Sequence, residues 1–404
     1  MPRRKRAPTA KAASRPGPLL IGLAYAGFVS LGLPDGLLSV AWPSIRTSFH
    51  LPLDALGLLL VLFTTGYLLS SFSSGRLLAR LNVGTLLALS CLATAVSLLG
   101  YALAPRWEIM VAFGWLAGLG AGAIDAGLNT YVATHYSART LNWLHACYGI
   151  GATGGPVIMA NVVGANLPWQ WGYGLVGMGQ LGLAGCFSLT RQQWSKPQPR
   201  SRRTVAKRFR VASSLDTLQL PVMWFSVTAF FIYTGLEAAT GIWVYSLFTE
   251  ARAIPEMVAG MWVSAYWGGL TIGRLASGIV IGFVSVHLLL RLCIISMALG
   301  AALIWLDLST LLSFLGLLVI GVAAAPIFPS LIATTPARLG AAHTANGIGF
   351  QVAAAVLGQS LLPSLIGVLA QALGLEIVGP VLLTAALLLL VVYEALLVIS
   401  PCNR

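Results

Sequence analysis

Long apolar runs alternate with short polar segments along almost the whole chain. A helix needs about 20 predominantly apolar residues to cross the hydrocarbon core of a bilayer, and we find twelve such runs. The alternating ten-residue pattern of an outer-membrane barrel is absent from the sequence. We therefore predict an all-α membrane protein with twelve transmembrane helices. Their expected spans are 19–44, 55–75, 83–103, 107–134, 143–165, 171–190, 218–247, 256–283, 287–306, 309–334, 343–372 and 376–399.

The composition also indicates the bilayer rather than water as the main solvent. Charged residues make up 9% and hydrophobic residues 57% of the 404 residues, whereas a soluble protein carries roughly 25% charged residues. This excludes a soluble enzyme, a nucleic-acid-binding domain and a disordered chain. The sequence shows no nucleophile–base–acid arrangement, no ATP-binding loop and no metal-ligand spacing of its five cysteines. We therefore expect no enzyme activity, no metal and no cofactor apart from a coupling ion.

The basic residues predict the orientation of the chain. The run after the basic tail at 1–18 is too long for a signal peptide and contains Asp35, so we interpret it as a retained first helix. With the N-terminus inside, 21 of the 24 Lys and Arg residues fall on inner segments, as the positive-inside rule requires. We expect a multi-pass protein of the bacterial inner membrane with both termini cytoplasmic. Anionic membrane lipid would attract its basic face.

A basic linker divides the predicted spans into six and six. The segment 191–217 carries eight Lys and Arg residues, and we predict a six-helix bundle on either side of it, at 19–190 and 218–400, before a short cytoplasmic end at 401–404. Two tripeptides, beginning at Gly75 and Gly149, recur 198 residues later at equivalent spans. Parallel six-helix repeats around a midplane site are typical of secondary transporters.

The spans, the basic linker and the segment from Gly75 to Arg80 resemble the major facilitator superfamily. The motif of that family has an aspartate before the arginine, where this chain has Ala79. The resemblance covers essentially the whole chain. It implies that spans 1, 4, 7 and 10 line a central cavity, in which we expect a monomeric protein to bind a small-molecule substrate without any nucleic-acid partner.

Three acidic residues lie deep in predicted spans of that cavity: Asp35, Asp125 and Glu237. A carboxylate at mid-bilayer is costly and usually functional. We expect no lysine or arginine deep enough to neutralise these acids permanently, so they are our candidates for proton coupling. The alternative is a protonated acid that serves only as a hydrogen-bond donor between helices.

Polar side chains in the other spans are candidates for substrate binding. In the first half, Asn129 shares a helix face with Asp125, and three residues of span 5 form a polar stripe. Interhelical hydrogen bonding is the alternative explanation for that stripe. The second half adds aromatic and amide groups suited to a sugar. The candidates are Asn129, Asn142, His145, Tyr148, Tyr266, Asn346 and Gln351.

Other residues indicate gating or structural roles. Pro34 and Gly36 flank Asp35 and could permit a local helix break, as carriers often have at the midplane. Pro326 and Pro329 would soften span 10. Arg76 and Arg274 are expected to pin helix ends on the cytoplasmic side, and Arg80 is a further candidate for a gating or structural role.

The segments around Asp125 and His145 narrow the resemblance to the fucose-permease-like branch of proton-coupled sugar symporters. In that branch, carboxylates of spans 1 and 4 act on proton and substrate, and Asp35 and Asp125 occupy the matching places. The branch has a longer acid in span 4, and a glutamine and an asparagine where this chain has His145 and Tyr148. These departures leave proton coupling in place but not the identity of the sugar.

The sequence therefore favours proton-coupled symport of a small neutral solute, with a sugar as the first candidate. The alternative is a proton-coupled exporter of lipophilic or cationic compounds, since deep acids without deep bases suit a cation. A non-transporting membrane receptor is a weaker hypothesis, because it would have no need of three deep acids. Sodium is an alternative to the proton as the coupling ion.

Overall fold

The computed structural model describes residues 18–136, 138–194, 212–280 and 283–400, apart from the side chains of 79, 138, 142 and 278–280. Every regular element in this part of the chain is helical. The long helices are α1 (Pro18–Phe49), α2 (Ala55–Arg80), α3 (Val83–Leu103), α4 (Trp107–His135), α5 (Ala138–Gly164), α6 (Gln170–Thr190), α8 (Pro221–Ser246), α9 (Glu256–Val280), α10 (Val286–Leu306), α11 (Thr310–Ala324), α14 (Thr344–Leu373) and α15 (Val378–Ile399). Short helices are α7 (Ser214–Leu218), α12 (Ile327–Ala333) and α13 (Thr335–Leu339).

Ten helical segments in the described ranges are long and apolar enough to cross a membrane. The glycine-rich α6 and the charge-bearing α9 are outside that set, so the count of twelve spans stays a prediction. Large apolar side chains point outward from the bundle: Phe72 is 75% exposed, Leu103 80% and Leu189 87%. A soluble protein rarely presents so much apolar surface, and a multi-pass membrane protein buries it in lipid.

Successive long helices run between two faces of the bundle. We call the face where α1 begins the N-terminal face, and the other the opposite face. Short α7 lies at the N-terminal face, where the Ser213 hydroxyl accepts from the Asp216 amide and the Asp216 carboxylate accepts from the Ser213 amide. These bonds hold the pKa of the Asp216 carboxyl below its usual range. Thr217 then bonds to His343 at 3.0 Å, which attaches this segment to the start of α14.

Glycines allow α1 and α5 to cross at unusually close range. A Cβ at Gly32 would lie 2.1 Å from the Tyr148 carbonyl oxygen, and one at Gly36 would lie 2.4 Å from Pro156 Cδ. In the structure α1 runs unbroken from Pro18 to Phe49. The predicted helix break around Pro34 is wrong for this reason. Gly36 serves close packing rather than a break.

Helices α1–α6 contact the second group, α8–α15, along three seams. In the first, between α5 and α9, Ser264 donates to the Thr153 carbonyl at 2.8 Å. In the second, between α2 and α14, a Cβ at Gly57 would lie 3.1 Å from Ser364 Cβ. The third joins Arg46 of α1 to Glu250, which follows α8, in an ion pair. The α2–α14 contact and the ion pair both lie toward the opposite face. The predicted bundle boundaries stay a prediction, and residues 195–211 of the predicted linker lie outside the described residues.

Candidate functional site

Asp35 is held by a neutral donor from a neighbouring helix. The Tyr148 hydroxyl of α5 donates to Asp35 Oδ2 at 2.5 Å. This contact depends on the close crossing of α1 and α5 at Gly32. Both side chains are half-buried, so water or a solute can still reach them.

Asp125 of α4 uses both carboxylate oxygens. Tyr67 of α2 donates to Oδ2 at 2.8 Å, and Asn129 donates to Oδ1 at 2.9 Å. The second bond confirms the shared helix face that the four-residue spacing predicts. The exposed His145 lies within electrostatic range of the Asp125 carboxylate, and its ring packs edge-on against Phe28 at 5.4 Å.

No lysine or arginine of the described chain forms an ion pair with Asp35 or Asp125. Their partners are hydroxyl and amide groups. A tyrosine hydroxyl can donate to a carboxylate and can also accept from a protonated acid. Each site can therefore hold its acid in either protonation state without a fixed countercharge.

Glu237 has a different environment. It is 6% exposed, and its Oε1 lies 3.5 Å from Arg274 Nη2, while the Tyr233 hydroxyl donates to its Oε2. The expectation that no base reaches the deep acids is therefore wrong for Glu237. The expectation that Arg274 pins a helix end is also wrong, because α9 continues six residues further, roughly 9 Å along its axis.

Arg274 also connects the two groups of helices. Its guanidinium interacts electrostatically with Tyr148 as well as with Glu237. Tyr148 bonds directly to Asp35, so polar groups of α1, α5, α9 and α8 lie within electrostatic range of one another.

The remaining predicted binding residues of the second group make internal contacts. Tyr266 is fully buried and donates to the Glu237 carbonyl at 2.8 Å. Gln351 is fully buried and accepts from the Thr335 hydroxyl at 3.0 Å. Asn346 donates to the Ala212 carbonyl near the N-terminal face at 2.9 Å. The side chain of Asn142 lies outside the described residues. Substrate binding by these residues stays a prediction.

The predicted gating residues occupy varied positions. Pro326 is buried at the interruption between α11 and α12, while Pro329 is exposed within α12. Of the two span 10 prolines, Pro326 thus coincides with a break in the helix. Arg76 and Arg80 are exposed in the last turns of α2. Gating by these residues stays a prediction.

A pocket inside the first group of helices was not predicted from the sequence. This N-bundle pocket has a volume of about 70 Å³ and is lined by Asp35 together with Ser30, Thr94, Tyr101, Tyr173 and Gln180, among others. Its polar residues come from α1, α3 and α6. No local motif connects them, because each stands singly in an apolar run.

A family model described as Major Facilitator Superfamily matches residues 24–363, which is most of the chain. The chain belongs to the major facilitator superfamily. A member of this superfamily is a transporter rather than an enzyme.

Solved structures of superfamily transporters share the fold. A variant of the nucleoside transporter NupG is 14% identical with a TM-score of 0.77, and the alignment covers 94% of this chain and 99% of that chain. A variant of the Escherichia coli fucose:proton symporter FucP is 15% identical with a TM-score of 0.64, covering 94% and 98%. Identities this low establish the fold alone.

A curated yeast protein is similar in sequence to part of this chain. Bypass of stop codon protein 6 of Saccharomyces cerevisiae is 27% identical over 175 residues, which cover 40% of this chain. The chain spans about a third of the length of that relative, since the match covers 34% of it.

Proposed function

We propose that the protein is a proton-coupled symporter of a small neutral, hydroxyl-rich solute, with a sugar as the first candidate. The observation that carries this proposal is the pair of acids, Asp35 and Asp125, that only neutral donors hold. An acid in the membrane without a fixed cation can bind a proton on one side and release it on the other. Glu237, paired with Arg274, is a weaker candidate for this role.

The architecture we propose has twelve spans in two six-helix halves that rock about a central site. The positive-inside distribution favours a cytoplasmic N-terminal face, and so a bacterial inner-membrane protein with cytoplasmic termini. Arg46–Glu250 and the approach of Gly57 to Ser364 join the halves toward the opposite face. We infer that these contacts open when the protein admits a solute from outside.

Two similar structures support the choice of solute. One is described as a nucleoside transporter and one as a fucose:proton symporter, and both ligands carry several hydroxyl groups. The side chains of Asn129 and Tyr148 are half-buried and that of His145 is exposed. All three can form hydrogen bonds with hydroxyl groups of a solute. We therefore place the substrate beside Asp35 and Asp125.

The second candidate function is proton-coupled export of cationic compounds. The same two acids favour it, because they leave uncompensated negative charge in the membrane. For a neutral solute, Asp35 and Asp125 would only have to bind and release protons. For a cation, their negative charge would also have to bind the substrate.

The deciding experiment uses purified protein in proteoliposomes that contain a pH dye. Sugars and nucleosides should drive proton influx, and both Asp35→Asn and Asp125→Asn should abolish it. Glu108→Gln is the matched control, since Glu108 is an exposed acid at the opposite face. Proton movement with lipophilic cations alone would favour export instead. Solute movement that requires sodium and moves no protons would contradict proton coupling.

A further inference from the structure

The N-bundle pocket contains polar atoms that no protein group satisfies. Gln180 is 2% exposed and lines the pocket; its Nε2 donates to the Ser30 carbonyl at 3.3 Å, but its Oε1 has no partner. The Tyr173 hydroxyl, on a side chain 1% exposed, has no partner either. Leaving a buried polar group unsatisfied is energetically costly, so two such groups in one pocket indicate a polar occupant.

The size and chemistry of the pocket suit water. A volume of about 70 Å³ is several times the roughly 10–15 Å³ that one buried water molecule requires. The hydroxyls of Ser30 and Thr94 already donate to backbone carbonyls, so their remaining lone pairs can accept from a bound water. A water in this pocket would thus have the two to four polar partners that buried water needs.

The pocket approaches Asp35 from inside the bundle. Tyr148 reaches the same carboxylate from α5, on the side of the α5–α9 seam. Asp35 is therefore bordered by Tyr148 on one side and by the pocket on the other. Toward the opposite face the pocket meets an aromatic cluster, in which the rings of Tyr101 and Tyr173 lie 5.3 Å apart and those of Tyr173 and Trp169 lie 5.8 Å apart.

We propose that the N-bundle pocket is a water-binding site through which Asp35 exchanges its proton. This inference rests on the proposed proton coupling. The protonated Asp35 transfers its proton to a pocket water as one O–H bond breaks and another forms, and that water passes a different proton through its neighbour to bulk water, which is the final acceptor. The carboxylate is restored, and Gln180 Oε1 and the Tyr173 hydroxyl orient the waters that carry the charge.

The occupancy of the pocket can be tested without any transport assay. Radiolytic hydroxyl-radical labelling modifies side chains beside bound water. Tyr173 should be labelled well above Tyr233, which is equally buried but whose hydroxyl already bonds to Ala324 and Glu237. Ala121→Val, which adds volume at the pocket wall, should reduce labelling of Tyr173. Labelling of Tyr173 no greater than that of Tyr233 would overturn the water site.

The role in proton exchange needs a separate measurement. In proteoliposomes, Gln180→Leu and Tyr173→Phe should slow net proton-coupled uptake roughly tenfold. Exchange of internal for external solute, which needs no proton release, should stay at the wild-type rate. The matched controls are Gln170→Leu on the same helix and Tyr131→Phe, whose buried hydroxyl also has no partner but lies away from the pocket.

The outcomes separate the two proposals. Wild-type proton uptake in Gln180→Leu and Tyr173→Phe would overturn the relay even if the solute is identified. A wild-type protein that moves no protons with any solute would overturn the proposed symport and the relay, whereas strong labelling of Tyr173 would still support the water site. Thermal stabilisation by sodium chloride but not by choline chloride, lost in Gln180→Leu, would replace water with sodium as the occupant.

Discussion

Tyr148 donates a hydrogen bond of 2.5 Å to Asp35 across 113 positions of sequence. The bond joins the interiors of α5 and α1, and the same tyrosine lies within electrostatic range of Arg274 in the second group of helices. If Asp35 changes its protonation state as proposed, Tyr148 is the residue through which that change would reach the seam between the two groups of helices.

Tyr148→Phe should weaken coupling without removing the acid. Hydrogen bonds to charged groups contribute about 1.5–3 kcal/mol, so we expect proton-coupled uptake to fall at least tenfold. Tyr131→Phe is the control, because its buried hydroxyl has no hydrogen-bond partner. Unchanged uptake in Tyr148→Phe would show that Asp35 does not depend on this bond.

Arg274→Met should destabilise the protein more than the double variant Glu237→Gln/Arg274→Met. Removing one partner of a buried ion pair leaves the other charge uncompensated, at a cost of about 3–5 kcal/mol. The arginine side chain is 27% exposed, so we expect the lower end of that range. Thermal unfolding in detergent measures the effect. Equal loss in the single and double variants would mean that the pair contributes little.

A disulfide between α2 and α14 should hold the two groups of helices together toward the opposite face and so prevent transport. In the double variant Gly57→Cys/Ser364→Cys, the Cβ atoms would start about 3.1 Å apart, and a small shift reaches the usual 3.5–4.5 Å of a disulfide. Oxidation should then stop transport, and a reductant should restore it. Each single cysteine variant serves as the control. Full transport by the oxidised double variant would show that this contact does not open during the cycle.

The cap of α7 should depend on pH. The folded-state pKa of Asp216 is lowered, so its contribution is present above the ordinary value of about 3.9 and is lost as pH falls through the lower folded value. Hydrogen-exchange protection of 214–218, corrected for the intrinsic rate, should therefore drop in acid. Asp216→Asn should show the weaker protection already at neutral pH. Equal protection in the variant at pH 7 would contradict a role for the carboxylate.

The sequence predicted what depends on local pattern. Apolar length located the long helices, and a spacing of four placed Asn129 beside Asp125. It also predicted a softened helix at Pro326, which lies between the end of α11 and the start of α12. Contacts within one helix are set by periodicity, so one sequence is enough to find them.

Contacts between helices could not be predicted in the same way. Glu237 and Arg274 stand 37 residues apart in different helices, and only the packing of α8 against α9 brings them together. Tyr67 lies in a stretch with several threonines and serines, and nothing in the sequence singles it out as the residue that meets Asp125. Gly36 looked like a breaker beside Pro34, because the approach of α5 that requires a glycine there is invisible in a single sequence.

The seam between α5 and α9 has a consequence for how such a protein evolves. A Cβ at Gly149 would lie 2.2 Å from Thr271 Oγ1, and one at Gly260 would lie 2.4 Å from Ala160 Cβ. Substitution of these glycines by larger residues would therefore clash across the α5–α9 seam. Asn129 is half-buried and His145 is exposed, so neither of these positions beside Asp125 is confined in this way. Substitutions there can change which solute the proposed symporter selects, while the residues of the seam between its halves are constrained by their packing.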